Sequence, residues 1–281
     1  MKKILTLIIS TMMCLCLFGC SKSNEDNSNT SDIEKIKKAG VLRVGMECDY
    51  VPFNWMVTNE TATSAPIQSG GYADGYDVYF SKMIAEKLGV DVEVVKVEWD
   101  GLTLALESGT IDLIIAGMSP TEQRKMTVDF TDAYYGGDKV VIVRKDSKYV
   151  NGKSLADLTG AKLAHQHNNV FDVLLKQIPE CNIINAYDST PRMLEATIAG
   201  EIDGFVDEID VAISAENTNS NLTYVKFDEG KGFDISETVD AIACRKGSDL
   251  KDFINDILVN VSNEEREALM DKANASSPVS E

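Results

Sequence analysis

None of the six cysteines in this 281-residue chain pair at CxxC spacing, so neither a zinc site nor a disulfide framework is indicated. Cys14, Cys16 and Cys20 fall in or at the end of an apolar leader. The remaining Cys48, Cys181 and Cys244 are an odd set that reads as buried free thiols. Positive charge is also scarce: 27 Lys and Arg against 45 Asp and Glu give a formal net charge of −18. Such a surface repels phosphate backbones, which argues against nucleic acid as a partner. Beyond Phe18 there is no second apolar run long enough to cross a membrane. No nucleophile and base stand in an arrangement that argues for covalent catalysis, so no catalytic residue, metal or cofactor is assigned.

What is present begins at the N-terminus. Lys2 and Lys3 precede an apolar run from Ile4 to Phe18, about 15 residues and short of the ~20 that span a bilayer, and the run closes with Leu17-Phe18-Gly19-Cys20. A basic start, a short apolar stretch and a small residue at the cleavage point make an export signal over residues 1–19. Its ending resembles the lipobox of bacterial lipoproteins, which implies that Cys20 takes a diacylglycerol and becomes the mature N-terminus. Ser21 to Ser31 contains no apolar residue and has nothing to bury, so residues 20–32 read as a lipidated cysteine and flexible tether. The expected location is the extracytoplasmic face of the cell membrane, with the lipid as the sole membrane contact.

The rest of the chain alternates strand and helix signals. Ile33 to Ala39 is a short amphipathic helix stopped by Gly40, ahead of a strand from Val41 to Gly45; Leu158-Thr159-Gly160 before Ala161 to His165 repeats the device. A stronger echo joins Gly101 to Glu107, Gly109 and the strand Ile111 to Ile115 with Pro191 to Ile198, Gly200 and the strand Ile202 to Val206. Ser-Gly-Thr-Ile-Asp and Ala-Gly-Glu-Ile-Asp thus recur 91 positions apart. Matching punctuation predicts two similar α/β lobes. Lobe 1 spans 33–138, lobe 2 spans 139–238, and 239–281 returns to lobe 1. Lys139 to Arg144 and Val239 to Arg245 link the lobes twice, as a hinge. Helices are expected over Asp77 to Leu88, Val170 to Ile178 and Asp249 to Lys272, the last packing on lobe 1, and Thr58 to Gly71 reads as a surface loop or small hairpin.

In open α/β sheets ligands bind beyond the carboxyl ends of strands. That rule selects Glu47 to Phe53, Ala116 to Arg124, Gln166 to Val170 and Asp207 to Asp210. Their residues suit a zwitterion. Arg124 offers a planar fork for a carboxylate, helped by Ser119 and the amides that follow it. Glu208 offers a carboxylate for an ammonium, and Tyr50 and Trp99 offer aromatic faces for a cationic or apolar side chain.

The runs LRVGMECDYVPFNW, GYDVYFSKMIAEKLGV, WDGLTLALESGTIDLIIAGMSPTEQR, VDFTDAYY and SLADLTG resemble the polar amino-acid substrate-binding proteins of ABC importers, the family 3 solute-binding proteins. The resemblance implies a two-lobed periplasmic-binding-protein-like (type II) fold with its ligand cleft between the lobes. By position it implies a carboxylate clamp at Arg124, with Gly117, Met118 and Ser119 beside it, and an aromatic pair at Tyr50 and Trp99. It further implies a side-chain sensor at Glu47 and an ammonium acceptor at Glu208. Where the family carries Gln-x-Gly-Thr-Thr, this chain has Gln166-His167-Asn168-Asn169-Val170, so Asn169, with Val170 next to it, takes the place of the hydroxyl donors. The implied function is capture of a free amino acid, with arginine, lysine or glutamine favoured, by a monomer that is not an enzyme and that serves ABC permease and ATPase subunits. The alternatives are a dehydratase on the same fold, using Glu47, Glu208, His165 or His167, or a sensory lipoprotein.

Overall fold

The computed structural model describes residues 31–278 apart from 185 and 237; the leader, Cys20 and all of the tether before Ser31 lie outside the described residues. The expected tether runs one residue too far. Ser31 caps a helix over Asp32–Ala39, and Asp32 Oδ2 accepts from Arg245 Nε at 3.0 Å and Ser248 Oγ at 2.8 Å, which fixes the chain entry to the last strand of the lobe.

The strands in chain order are β1 Val41–Met46, β2 Asp49–Tyr50, β3 Asn54–Val57, β4 Ala65–Pro66, β5 Tyr72–Asp74, β6 Asp91–Lys96, β7 Leu113–Ile114 and β8 Val128–Tyr135. After them come β9 Lys139–Arg144, β10 Lys162–Ala164, β11 Asn182–Ile183, β12 Gly204–Glu208, β13 Leu222–Tyr224 and β14 Asp240–Arg245. Two five-stranded sheets share one plan. The first runs β6-β1-β7-β14-β8 and the second β11-β10-β12-β9-β13, each with a parallel trio followed by antiparallel partners. The chain crosses from the first to the second after β8 and returns between β13 and β14. A small sheet, β2-β3-β5-β4, stands beside the first.

The 91-residue echo has a structural basis. The helices Leu102–Glu107 and Thr190–Ala199 are followed by Gly109 and Gly200 in left-handed turns. Beyond each turn an aspartate locks onto the neighbouring parallel strand. Asp112 donates its N–H to Arg43 O at 2.8 Å and accepts Arg43 N–H on Oδ2 at 3.1 Å. Asp203 does the same to Lys162, at 2.8 and 2.9 Å. Gly-x-Ile-Asp is therefore a register lock used once per lobe. The isoleucines, Ile111 and Ile202, are both buried.

Two expectations need correction. The helix foreseen over Val170 to Ile178 is a single turn, Asp172–Leu175, because Asn169 Oδ1 accepts from Phe171 N at 3.0 Å and holds the preceding residues in a turn. The tail is two helices, Leu250–Leu258 and Asn263–Ser276, the second capped by Ser262. That second helix packs on both Tyr76–Leu88 of the first lobe and Ile209–Thr218 of the second, and Asn274 Nδ2 donates to Asp210 Oδ1 at 3.0 Å. Within residues 58–71 the hairpin alternative holds: β4 pairs antiparallel with β5 in the small sheet, with Ala65 and Ile67 buried.

Candidate functional site

The strand ends of the two lobes meet. Glu47 follows β1, Tyr50 lies on β2, and Gly117 to Arg124 follows β7; Gln166 to Phe171 follows β10, and Asp207 sits near the end of β12. Cross-lobe hydrogen bonds join them. Tyr50 Oη donates to Asp207 Oδ1 at 2.8 Å, and Gln166 Nε2 donates to Glu47 Oε1 at 2.7 Å. Arg124 Nη2 donates to the Asn168 carbonyl at 2.7 Å, while Asn168 Nδ2 reaches Asp100 Oδ1, also at 2.7 Å. Between these contacts lies a small void of about 20 Å³, which the cross-lobe bonds hold nearly closed.

Glu47, Tyr50, Trp99, Gly117, Ser119, Arg124, Asn169 and Val170 all line that void, so most of the residues picked from the sequence converge on one cavity. Arg124 is held by its second donor on the Ser119 carbonyl at 2.8 Å and lies over the Trp99 ring at 5.1 Å. The indole face therefore supports the guanidinium. Tyr50 stacks on Phe53 with centroids 4.8 Å apart, so the two aromatic walls each rest on a fixed support. Gly117 is required by close approach: a Cβ there would come within 2.8 Å of the Tyr50 ring. Its N–H donates to Tyr134 Oη at 3.0 Å, and Asn169 spends its Oδ1 on the helix turn.

Two selected residues stand elsewhere. Met118 is 2% exposed in the core and its carbonyl accepts from Ala241 N at 3.0 Å, so it ties β14 to the β7 loop and does not face the void. Neither Glu208 nor Asp207 lines it, but Asp207 reaches its wall through the bond from Tyr50. In the antiparallel register Glu208 lies opposite Lys139, which puts both side chains on one face of the sheet, and they form a buried ion pair at 2.8 Å. Asp207, one residue earlier, points to the other face and meets Tyr50. Strand parity, legible only once β12 has a partner, decides which of the two acids faces the cleft.

Gln166 and Phe171 also line the void and were not singled out. Gln166 opens the strand-end segment 166–170, and its side chain is the longest of the three carboxamides there, the one that reaches Glu47 across the cleft. The two histidines lie off the cavity. His165 Nδ1 is 2.8 Å from the Gln166 carbonyl, and His167 is more than half exposed beside Asp100 at 3.5 Å.

Burial sets the electrostatics. Glu47 is 4% exposed, and desolvation, with Asp49 next in effect, pushes its carboxyl up to about 8 against the opposing bond from Gln166. Asp207 rises to about 7 by burial despite the bonds from Glu208 N and Tyr50. Burial lowers Arg124 to about 10, with Asp240 pulling the other way. The cavity wall thus carries one guanidinium, Arg124, and one buried acid, Glu47, while Asp207 and Asp240 are buried acids bonded to its Tyr50 and Ser119.

A family model for bacterial extracellular solute-binding proteins, family 3, matches residues 42–274. The arginine-binding extracellular protein ArtP of Bacillus subtilis (strain 168) is 31% identical over 264 residues, 92% of each chain. An amino acid ABC transporter substrate-binding protein from Streptococcus pneumoniae Canada MDR_19A, solved with L-arginine bound, superposes with a TM-score of 0.76. It is 26% identical and covers 89% of this chain and 100% of its own. AncCDT-1, an ancestral amino-acid-binding protein and precursor of cyclohexadienyl dehydratase, gives a TM-score of 0.69 at 29% identity, covering 86% of this chain and 99% of its own.

Proposed function

The chain belongs to the family 3 bacterial extracellular solute-binding proteins, and from that premise we propose that it captures a cationic α-amino acid, arginine ahead of lysine, between its lobes. The observation that carries this reading is Glu47, a buried carboxylate in the cleft wall, bonded at 2.7 Å to Gln166 and raised to about 8 by burial. A buried acid short of positive charge is stabilised most by a ligand that brings a cation. The arginine bound to the pneumococcal relative and the arginine named for ArtP favour the same ligand.

In this reading the ligand carboxylate takes the place of the Asn168 carbonyl at Arg124, whose fork suits a bidentate partner. The α-ammonium takes the place of the Tyr50 hydroxyl at Asp207, and the side-chain cation goes to Glu47 and Gln166. Ligand contacts then span both lobes, so binding favours the closed arrangement by its differential contacts. The family is extracytoplasmic. We further assign Cys20 as a lipidated anchor and an ABC permease with its ATPase as the receiving partners. Glu47 takes its hydrogen bond from the Gln166 amide, which favours a binding role for it over proton transfer.

The test is a thermal-shift screen of the twenty amino acids followed by calorimetry, since a specific ligand raises the melting temperature by mass action. The expected order is arginine, then lysine, then glutamine. A screen in which no amino acid raises the melting temperature overturns the reading.

A further inference from the structure

A further carboxylate is buried behind the cleft wall. Asp240 opens β14, the strand of the return crossing, and is 2% exposed. Its Oδ1 accepts from Ser119 Oγ at 3.3 Å. Its Oδ2 is sealed from solvent and has no hydrogen-bond partner. A Cβ placed on Gly117 would lie 2.8 Å from the Tyr50 ring and 3.8 Å from this oxygen. The unpartnered atom therefore lies close behind Gly117, in the part of the wall that Gly117, Tyr50 and Ser119 form.

The nearby cations, Lys139 and Arg124, act on Asp240 through space but make their hydrogen bonds elsewhere. Lys139 is paired with Glu208 at 2.8 Å and also donates to the Gly137 carbonyl at 2.9 Å. Arg124 gives its terminal nitrogens to the Ser119 and Asn168 carbonyls. A buried carboxylate oxygen without a donor is costly. The group that remedies this must be compact, carry several donors and bring positive charge, and a primary ammonium has all three properties.

We propose that Asp240 is a ligand-contact and positioning residue: with Asp207 it takes the ligand's α-ammonium, and it holds the Ser119 hydroxyl turned so that its lone pairs face that ammonium. This rests on the reading that the ligand is an α-amino acid. The ammonium then touches the first lobe at Ser119, the second at Asp207 and the crossing strand at Asp240. The hinge itself reads whether the ligand carries a free α-amino group, and ligands lacking one are rejected because two buried carboxylates stay unmatched.

The experiment is calorimetry on wild type, Asp240→Asn and Asp240→Ser. The ligands are the amino acid that binds tightest in the twenty-member screen and its desamino analogue, which keeps the carboxylate and side chain and lacks the α-ammonium. The expected result is a loss of roughly 10- to 100-fold for the amino acid in both variants, the scale of one hydrogen bond to a charged group, with the analogue changed less than about threefold on the same scale. A structural role alone would shift both ligands together. Equal losses for the two ligands, or no loss for either, overturn the inference while leaving the amino-acid reading intact. Failure of wild type to bind any of the twenty overturns both. Should Asp240→Asn not fold, Asp240→Ser carries the same comparison.

Discussion

Asp112 in the first lobe and Asp203 in the second make the same pair of bonds to the strand beside them, while the segments that leave the next strand ends carry opposite chemistry. Beyond β7 the first lobe presents Ser119 and the Arg124 guanidinium; at the end of β12 the second presents Asp207 and Glu208. The scaffold is repeated because a register lock has to satisfy only backbone geometry. On the proposed function the rims diverge because each serves a different end of the ligand. Within the second rim a further contrast appears: neighbouring acids on one strand have separate tasks, Asp207 at the cleft and Glu208 in a buried pair with Lys139.

The sharpest way to break that contrast is to remove one charge from each side of β12. Lys139→Met strands Glu208 and should destabilise the fold by about 3 kcal/mol or more, the range for orphaning one member of a buried pair. Urea denaturation measures it. Asp207→Asn should leave the fold nearly as stable and weaken amino-acid binding roughly tenfold or more, on the scale of a lost charge-assisted bond. If Lys139→Met were as stable as wild type, Glu208 would not depend on that pair and its exclusion from the cleft would lose its physical basis. On the opposite rim, Arg124→Ala should cost roughly 10²-fold in affinity, by the same scale for stranding a buried charge. Unchanged calorimetric binding there would remove the carboxylate clamp.

Glu47 sharpens the comparison through pH. Its folded-state value of about 8 lies above the ordinary 4.5, so the ligand-free folded state binds more protons than the unfolded one between those values, and stability falls as pH rises through that window. Asp77 and Asp207, at about 7, and Asp240, at about 6, act in the same direction. The ligand-free melting temperature should therefore decline from about pH 5 to pH 8. Arginine needs Glu47 ionised, so its affinity should rise over the same range, with proton release on binding near pH 7 visible as a dependence of the calorimetric enthalpy on buffer. Glu47→Gln should weaken arginine roughly tenfold at pH 8 and abolish the Glu47 part of that proton release. An arginine affinity flat from pH 5 to 8 would rule out an ionised Glu47 as its partner.

Much of this was legible before any coordinates. The punctuation by Gly109 and Gly200 gave the two-lobed plan because helix stops and strand starts are local signals, and the strand-end rule brought Glu47, Tyr50, Ser119 and Arg124 to one cavity, where Trp99, picked for its aromatic face, joins them. What escaped depends on pairing partners far along the chain. Whether Asp207 or Glu208 faces the cleft follows from the register against β9, and sequence alone does not provide that register. Asp240 escaped for the same reason: it meets Ser119 across 121 positions. Gln166 lay inside a segment read mainly for the hydroxyls it lacks. The tail helix was foreseen on one lobe, but its contact with the second comes through Asn274 and Asp210, a polar pair with no periodic signature.

The smallest expected effect tests whether the two register locks are equivalent. Asp112 does more than its counterpart: its Oδ1 also accepts from Arg245 Nη2 at 3.1 Å, and Arg245 in turn holds Asp32 at 3.0 Å and the Ile111 carbonyl at 2.7 Å. That network fastens the entering helix, the β7 turn and the return strand together. Asp203 has the Lys162 amide as its side-chain bond and is more exposed. Asp112→Ala should therefore destabilise by about 2 kcal/mol, one backbone bond plus one partly buried charge-assisted bond, and Asp203→Ala by about 1 kcal/mol. Denaturation midpoints at fixed slope separate the two values. Equal losses would mean that the Arg245 network adds nothing beyond the lock, and that the first lobe owes its entry and exit to packing alone.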